Sequence, residues 1–176
     1  MANTFELIAS STVGAGGASD ITFSSIPSTY TDLCVYLSGR STSSFTRRIL
    51  RLRINGSSTA TDYSARDLIG SGSAASSGTQ AAGDSSYIQI FDLPAANATA
   101  STFGNISIYI PNYANSSTYK SVSVDSVAED NATTAYMSLL AGLYRQNTAI
   151  SQIYLAPDSG NFAQYSTAYL YGVKNA

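Results

Sequence analysis

The sequence predicts an all-β chain folded as an antiparallel β-sandwich of jelly-roll-like form. Three observations carry that expectation. Short apolar runs alternate with polar residues at period two, as in a strand with one buried face. About nine or ten such runs follow one another with turn signals between them and no convincing helical pattern, the sequence signature of a sandwich. Thirteen Tyr and a Ser plus Thr content of about a quarter favour pleated surfaces.

Phe5-Glu6-Leu7-Ile8 and Asp20-Ile21-Thr22-Phe23 open the chain as two alternating runs joined by a loop with Gly14, Gly16 and Gly17. Glycine permits a tight reversal, so a β-hairpin or two neighbouring strands are expected here. Pro27 fixes φ in a turn through Tyr30. In Asp32 to Ser38, Leu33, Val35 and Leu37 share one side and Cys34 and Tyr36 the other, which places a strand with two apolar faces centrally. Ile49 to Ile54 turns Leu50, Leu52 and Ile54 inward and Arg51 and Arg53 outward, and Asn55-Gly56 supplies a hairpin signal after it. A partner strand or irregular segment is expected over Tyr63 to Ile69.

Gly70 to Ser86 carries no large apolar residue and offers little burial against its ordering entropy. It reads as a flexible surface loop near 70–86, or as a segment that orders only against a partner. Further strands are expected over Tyr87 to Leu93, Phe103 to Ile110, Tyr119 to Ala128, Gln152 to Ala156 and Ala168 to Val173. Pro111 ends the second of these, because proline cannot continue a ladder. Ala135 to Tyr144 fits a helix or a buried strand by spacing, and its neighbours favour the strand.

The length of 176 residues fits one domain over 1–176. Charged residues make up only 11%, and the net charge of -2 gives no global attraction to nucleic acid or an anionic membrane. Such a neutral, hydroxyl-rich surface suits contact with protein or sugar. No apolar run approaches the roughly 20 residues of a membrane helix, and the first residues lack the pattern of a signal peptide. The expectation is a protein made in a cytoplasm, with no membrane and no nucleic acid among its partners.

The chain contains no histidine, which removes the commonest general base and the usual zinc ligand. Cys34, within a strand, reads as a buried thiol. Asp92, Asp125, Glu129 and Asp130 form the one local set of carboxylates, and solvated strand ends explain them most simply. The Gly14 to Ser19 loop lacks a phosphate-binding lysine and precedes a strand, so it reads as a turn. No catalytic residue, cofactor or metal site is expected. The candidate interface residues are Arg47, Arg48, Arg51 and Arg53, able to pair with a partner's carboxylates or simply to face solvent, together with Tyr113, Tyr165, Tyr169 and Tyr171. Tyrosine gives broad contact area at low entropy cost.

Several segments, in order, resemble a family of small structural proteins of tailed bacteriophages. They are Phe5 to Ser10 with the glycine loop, Ile21 to Pro27, Tyr30 to Leu33, Asn55-Gly56, Ile110 to Tyr113, and the ending Tyr169 to Lys174. The resemblance covers most of the chain and is least constrained over Gly70 to Ser86. It implies a virion protein without enzymatic activity: a head decoration (cement) protein that binds the major capsid protein and itself, as a homotrimer, or alternatively a tail or tail-fibre protein that contacts the host surface, through glycans. Met1 to Thr4 and the 70–86 loop are the segments expected to order on docking.

Overall fold

A computed structural model describes residues 4–131 and 135–174. Its twelve strands, among the described residues, are β1 (Phe5–Thr12), β2 (Ile21–Phe23), β3 (Asp32–Gly39), β4 (Arg47–Ile54), β5 (Tyr63–Gly70), β6 (Ala75–Gln80), β7 (Ile88–Pro94), β8 (Gly104–Ile110), β9 (Lys120–Ala128), β10 (Tyr136–Tyr144), β11 (Ile153–Pro157) and β12 (Thr167–Val173). A single 3-10 turn, Ala60–Asp62, precedes β5. The expected antiparallel sandwich is present. One sheet has eight strands in the order β1-β12-β3-β8-β9-β10-β5-β6, and the other has four, β2-β11-β4-β7.

The inward side chains of both sheets form one core. Leu33, Val35 and Leu37 on β3 and Ile106, Ile108 and Ile110 on β8 meet Leu50, Leu52 and Ile54 on β4 and Ile153 and Leu155 on β11. All of these are essentially inaccessible to water. The alternation that predicts β3, β4, β8, β9 and β12 is the alternation that buries them, because period two sends every second side chain to one face.

Three local expectations are corrected. The opening runs do not pair with each other: β1 pairs with β12 in the large sheet and β2 with β11 in the small one. The glycine loop between them crosses from sheet to sheet. It closes through Gly17 N–H to Gly14 O at 3.0 Å, and Gly17 adopts a φ of 71°, where an added Cβ would meet Phe162 O at 2.9 Å. Asn55-Gly56 does make a tight turn, with both residues at positive φ and Ser57 N–H donating to Ile54 O. The chain then leaves for the other sheet, so no hairpin forms there. Instead the Asn55 amide accepts from Ser151 N–H and Gln152 N–H and donates to Ala149 O, fixing a distant loop.

The third correction concerns Gly70 to Ser86, which holds β6 paired along its length with β5. Residues 1–3 of the Met1 to Thr4 start lie outside the described residues. Among the described residues no helix is long and apolar enough to cross a membrane.

Candidate interaction surface

Arg51 and Arg53 fall on the outer face of one sheet and Tyr169 and Tyr171 on that of the other, while Arg47 turns between the sheets to Asp92 and Tyr136. Arg51 and Arg53 project from β4 on the small sheet, with Arg47 and Arg48 at its start. Tyr169 and Tyr171 project from β12 on the large sheet, and Tyr165 precedes that strand, 68% exposed. Tyr113 belongs to neither. It is fully buried in the core, its hydroxyl donating to Pro27 O and accepting from Tyr30 N–H at 3.4 Å. Aromatic bulk fills the core there while the one polar atom is satisfied by backbone, so Tyr113 is structural and offers no contact surface.

The arginines are largely occupied within the chain. Arg47 Nη1 donates to Asp92 Oδ1 at 2.7 Å, and its guanidinium lies 3.5 Å from the centre of the Tyr136 ring. Arg48 makes a bidentate pair with Asp158, Nε to Oδ1 at 2.8 Å and Nη2 to Oδ2 at 2.5 Å. Arg51 donates twice to Pro157 O, and Arg53 donates to the Ser86 carbonyl and hydroxyl. Both sit about 5.7–5.8 Å from the Tyr87 ring, and Arg53 also lies 5.8 Å from that of Tyr154. Sequence shows no aromatics interleaved with these arginines. Tyr154 comes in on β11 beside β4, Tyr87 from just before β7, and Tyr136 across the sandwich from β10.

Asp92 and Asp130 are buried, contrary to the solvated positions expected of them. Asp92 turns inward because β7 bulges: Leu50 pairs with Ile90 and Arg48 with Leu93, so Phe91 and Asp92 together oppose Ile49. Asp92 takes φ of 74° in that bulge, and its second oxygen accepts from Ser126 and Ser138. Cys34 is buried as expected, and burial pushes its thiol pKa up, with Asp32 adding to the effect. Among the described residues no group of three Cys, Asp or Glu is placed to hold a metal ion.

The outer face of the large sheet has a different character. Two adjacent cross-strand rows run over it. One reads Leu7, Tyr171, Cys34, Tyr109, Ser123, Ala141, Arg66, and the other Ser10, Tyr169, Tyr36, Ser107, Asp125, Leu139, Leu68. Phe5, Leu7, Tyr36, Leu68, Tyr109, Met137, Leu139 and Tyr169 are each 40–54% exposed on this face. Tyr171 packs edge-on against both Phe5 and Tyr36, at centroid distances of 6.4 and 6.0 Å, which holds the aromatic half together. Charged groups at outward strand positions are limited to Asp32, Arg66 and Asp125. Asp32 is itself covered, accepting from the Tyr109 hydroxyl at 2.7 Å and Asn112 N–H at 2.8 Å. On the aliphatic half, Ser123 and Ala141 floor a shallow groove of about 440 Å³ between Leu68, Leu139 and Arg66.

Exposed Tyr, Phe, Leu and Met with few charges is the composition of the centre of a protein contact. Phe5, Leu7, Tyr36, Tyr109, Leu68, Met137 and Leu139 were not among the sequence candidates. The strand register is what lines them up, and period-two alternation assigns such residues only to one of two faces. The chain matches no protein-family model, no curated protein and no solved structure.

Proposed function

We propose that this protein is a virion structural protein, a capsid decoration protein whose eight-stranded face binds the assembled phage head and stabilises it. The observation that carries the reading is the broad outer face of that sheet, rich in exposed Tyr and aliphatic groups and poor in charge. The segment-by-segment resemblance to small phage structural proteins supports the same conclusion. A protein that binds only the assembled shell shifts assembly by mass action, and weak contacts repeated over a lattice add through avidity when copies are linked. The reading assigns the chain no enzymatic activity and no cofactor. It is tested by adding purified protein to shells that lack it. Saturable binding and a raised shell melting temperature are expected, and no binding at saturating concentration refutes it.

A tail or tail-fibre protein that contacts host glycans is the second reading. It is favoured by one feature, the exposed phenols of Tyr36 and Tyr169, which lie directly opposite each other. Binding to intact host cells or a glycan array, with none to shells, would establish it in place of the first.

A further inference from the structure

The sandwich has four edge strands, and three of them are blunted. β2 is three residues long. β7 bulges at Phe91 and Asp92. β1 breaks register between Leu7 and Ala9 and carries Glu6. Short length, bulges and charge are the means by which edges refuse a further strand. β6 has none of them. Its six residues, ASSGTQ, contain no charge and no proline, and its register with β5 is unbroken from Ala65↔Gln80 to Gly70↔Ala75.

The ladder fixes which groups of β6 are free. Ser71 N–H donates to Ala74 O at 2.9 Å across the turn that joins β5 to β6. Antiparallel bonding alternates from that pair, so the N–H and C=O of Ser76, Gly78 and Gln80 face β5 while those of Ala75, Ser77 and Thr79 face outward. No turn or loop backbone bond among the described residues reaches those three. The strand also buries little, with Gln80 alone fully covered. One neighbour and so little burial leave its ordering entropy poorly offset, and a second neighbour corrects this.

We propose that β6 pairs antiparallel with β6 of a second copy of this chain, about a two-fold axis at Ser77. Ser77 then faces Ser77 of the other copy, and Ala75 faces Thr79 in both directions. Each of these pairs exchanges two backbone bonds, about six in all. The match is isologous and leaves no outward group of the segment unpaired. A second copy is favoured over a charged partner because the edge has no charge with which to recognise one, and its small hydroxyl side chains meet without repulsion. The pairing joins two eight-stranded sheets into one and places Leu68, Met137 and Leu139 of both copies on one continuous sheet face, on either side of the paired β6 strands. It is independent of the capsid reading, and it gives a dimer where the resemblance implies a trimer.

Sedimentation of the full chain, from dilute to near-millimolar concentration, is expected to rise from one chain mass to two. Over the same range, amide exchange at Ala75, Ser77 and Thr79 is expected to slow roughly tenfold or more as the dimer fills. Ser77→Pro removes an outward N–H at an edge position that tolerates proline, and it should stay at one chain mass with an unchanged circular dichroism spectrum. Ser77→Cys should oxidise to a covalent dimer, whereas Ser10→Cys on β1 should not. A single-chain mass with fast exchange at these amides throughout overturns the proposal. So does a mass of three chains, or dimerisation undiminished in Ser77→Pro. Slowed exchange only when shells are added would assign the edge to the shell instead.

Discussion

Arg47 Nη1 lies 2.7 Å from Oδ1 of Asp92, a carboxylate with no exposure to water, and this pair ties the two sheets together at one end. Both residues belong to the small sheet. The second oxygen of Asp92 is held by Ser126 on β9 and Ser138 on β10, and Tyr136 on β10 covers the guanidinium. Removing Arg47 leaves a buried carboxylate with two hydroxyls for company. Arg47 itself keeps 30% exposure, so Arg47→Ala is expected to lower unfolding stability by about 3 kcal/mol, the low end of the range for stranding one buried charge. Arg48→Ala opens a bidentate pair whose carboxylate keeps 14% exposure and can be rehydrated, so it should cost less, about 1–2 kcal/mol. Urea midpoints at constant m-value compare the two; equal losses would contradict the assignment.

Tyr113→Phe separates the core reading of that residue from a contact role. The ring stays and the hydroxyl goes, so Pro27 O and Tyr30 N–H lose their partner. The expected cost is about 1–2 kcal/mol of stability, with self-association and shell binding unchanged. Loss of binding without loss of stability would return Tyr113 to the surface.

Gly172 on β12 carries the Tyr30 ring directly against its backbone. A Cβ at Gly172 would fall 2.2 to 2.5 Å from three ring carbons. The Tyr30 hydroxyl donates to Glu6 at 3.1 Å, and Lys174 both pairs with Glu6 at 3.0 Å and lies 5.1 Å from the ring. Gly172→Ala must displace the ring and this cluster with it, costing about 1–3 kcal/mol as overpacking does. A urea midpoint equal to that of the parent chain would show that the ring has room to move.

The fold was legible in the sequence wherever one face of a strand is uniformly apolar. Leu50, Leu52 and Ile54 announce β4, and Ile106, Ile108 and Ile110 announce β8. Which strands pair was not legible, because period and turn residues are local signals and sheet membership is decided by long-range burial. The Phe5 and Ile21 runs look like a hairpin and end up in different sheets for that reason. β6 escaped notice because it has no large apolar residue to alternate; its register with β5 holds it. Inward polar positions were equally silent. Ser126 occupies a core-facing place on β9 to serve Asp92, and Lys120 is buried with its ammonium donating to the carbonyls of Asn115, Thr118 and Asn147. Burial holds that lysine's pKa below its ordinary value. The tyrosines Tyr169 and Tyr171 were legible as surface candidates, but their neighbours Tyr36 and Tyr109 come from strands far off in sequence.

Alkaline titration reads the Tyr109–Asp32 bond. The hydrogen bond to Asp32, with burial second, pushes the Tyr109 phenol up to about 12. Tyr144 is likewise pushed up to about 12, there mainly by burial. A phenol raised above its unfolded value of about 10 contributes stability that is complete below that pH and lost as pH climbs from about 10 toward 12. Base unfolding is expected within this window. Phenolate absorbance read immediately after a jump to alkaline pH, before unfolding, should show one fewer tyrosine ionising above about pH 11 in Tyr109→Phe than in the parent, and an unchanged count would contradict the assignment.

The claim that the eight-stranded face is the docking surface is tested most directly by binding two variants to shells that lack the protein, once each is shown to fold. Tyr36→Lys places a charge in the aromatic half of that face, and Arg51→Glu with Arg53→Glu reverses the charge of the opposite one. The account predicts that Tyr36→Lys weakens binding roughly 30-fold or more, as loss of an aromatic anchor does, while the double arginine variant binds like the parent. Undiminished binding by Tyr36→Lys, with loss in the arginine variant, would place the contact on the small sheet and contradict it.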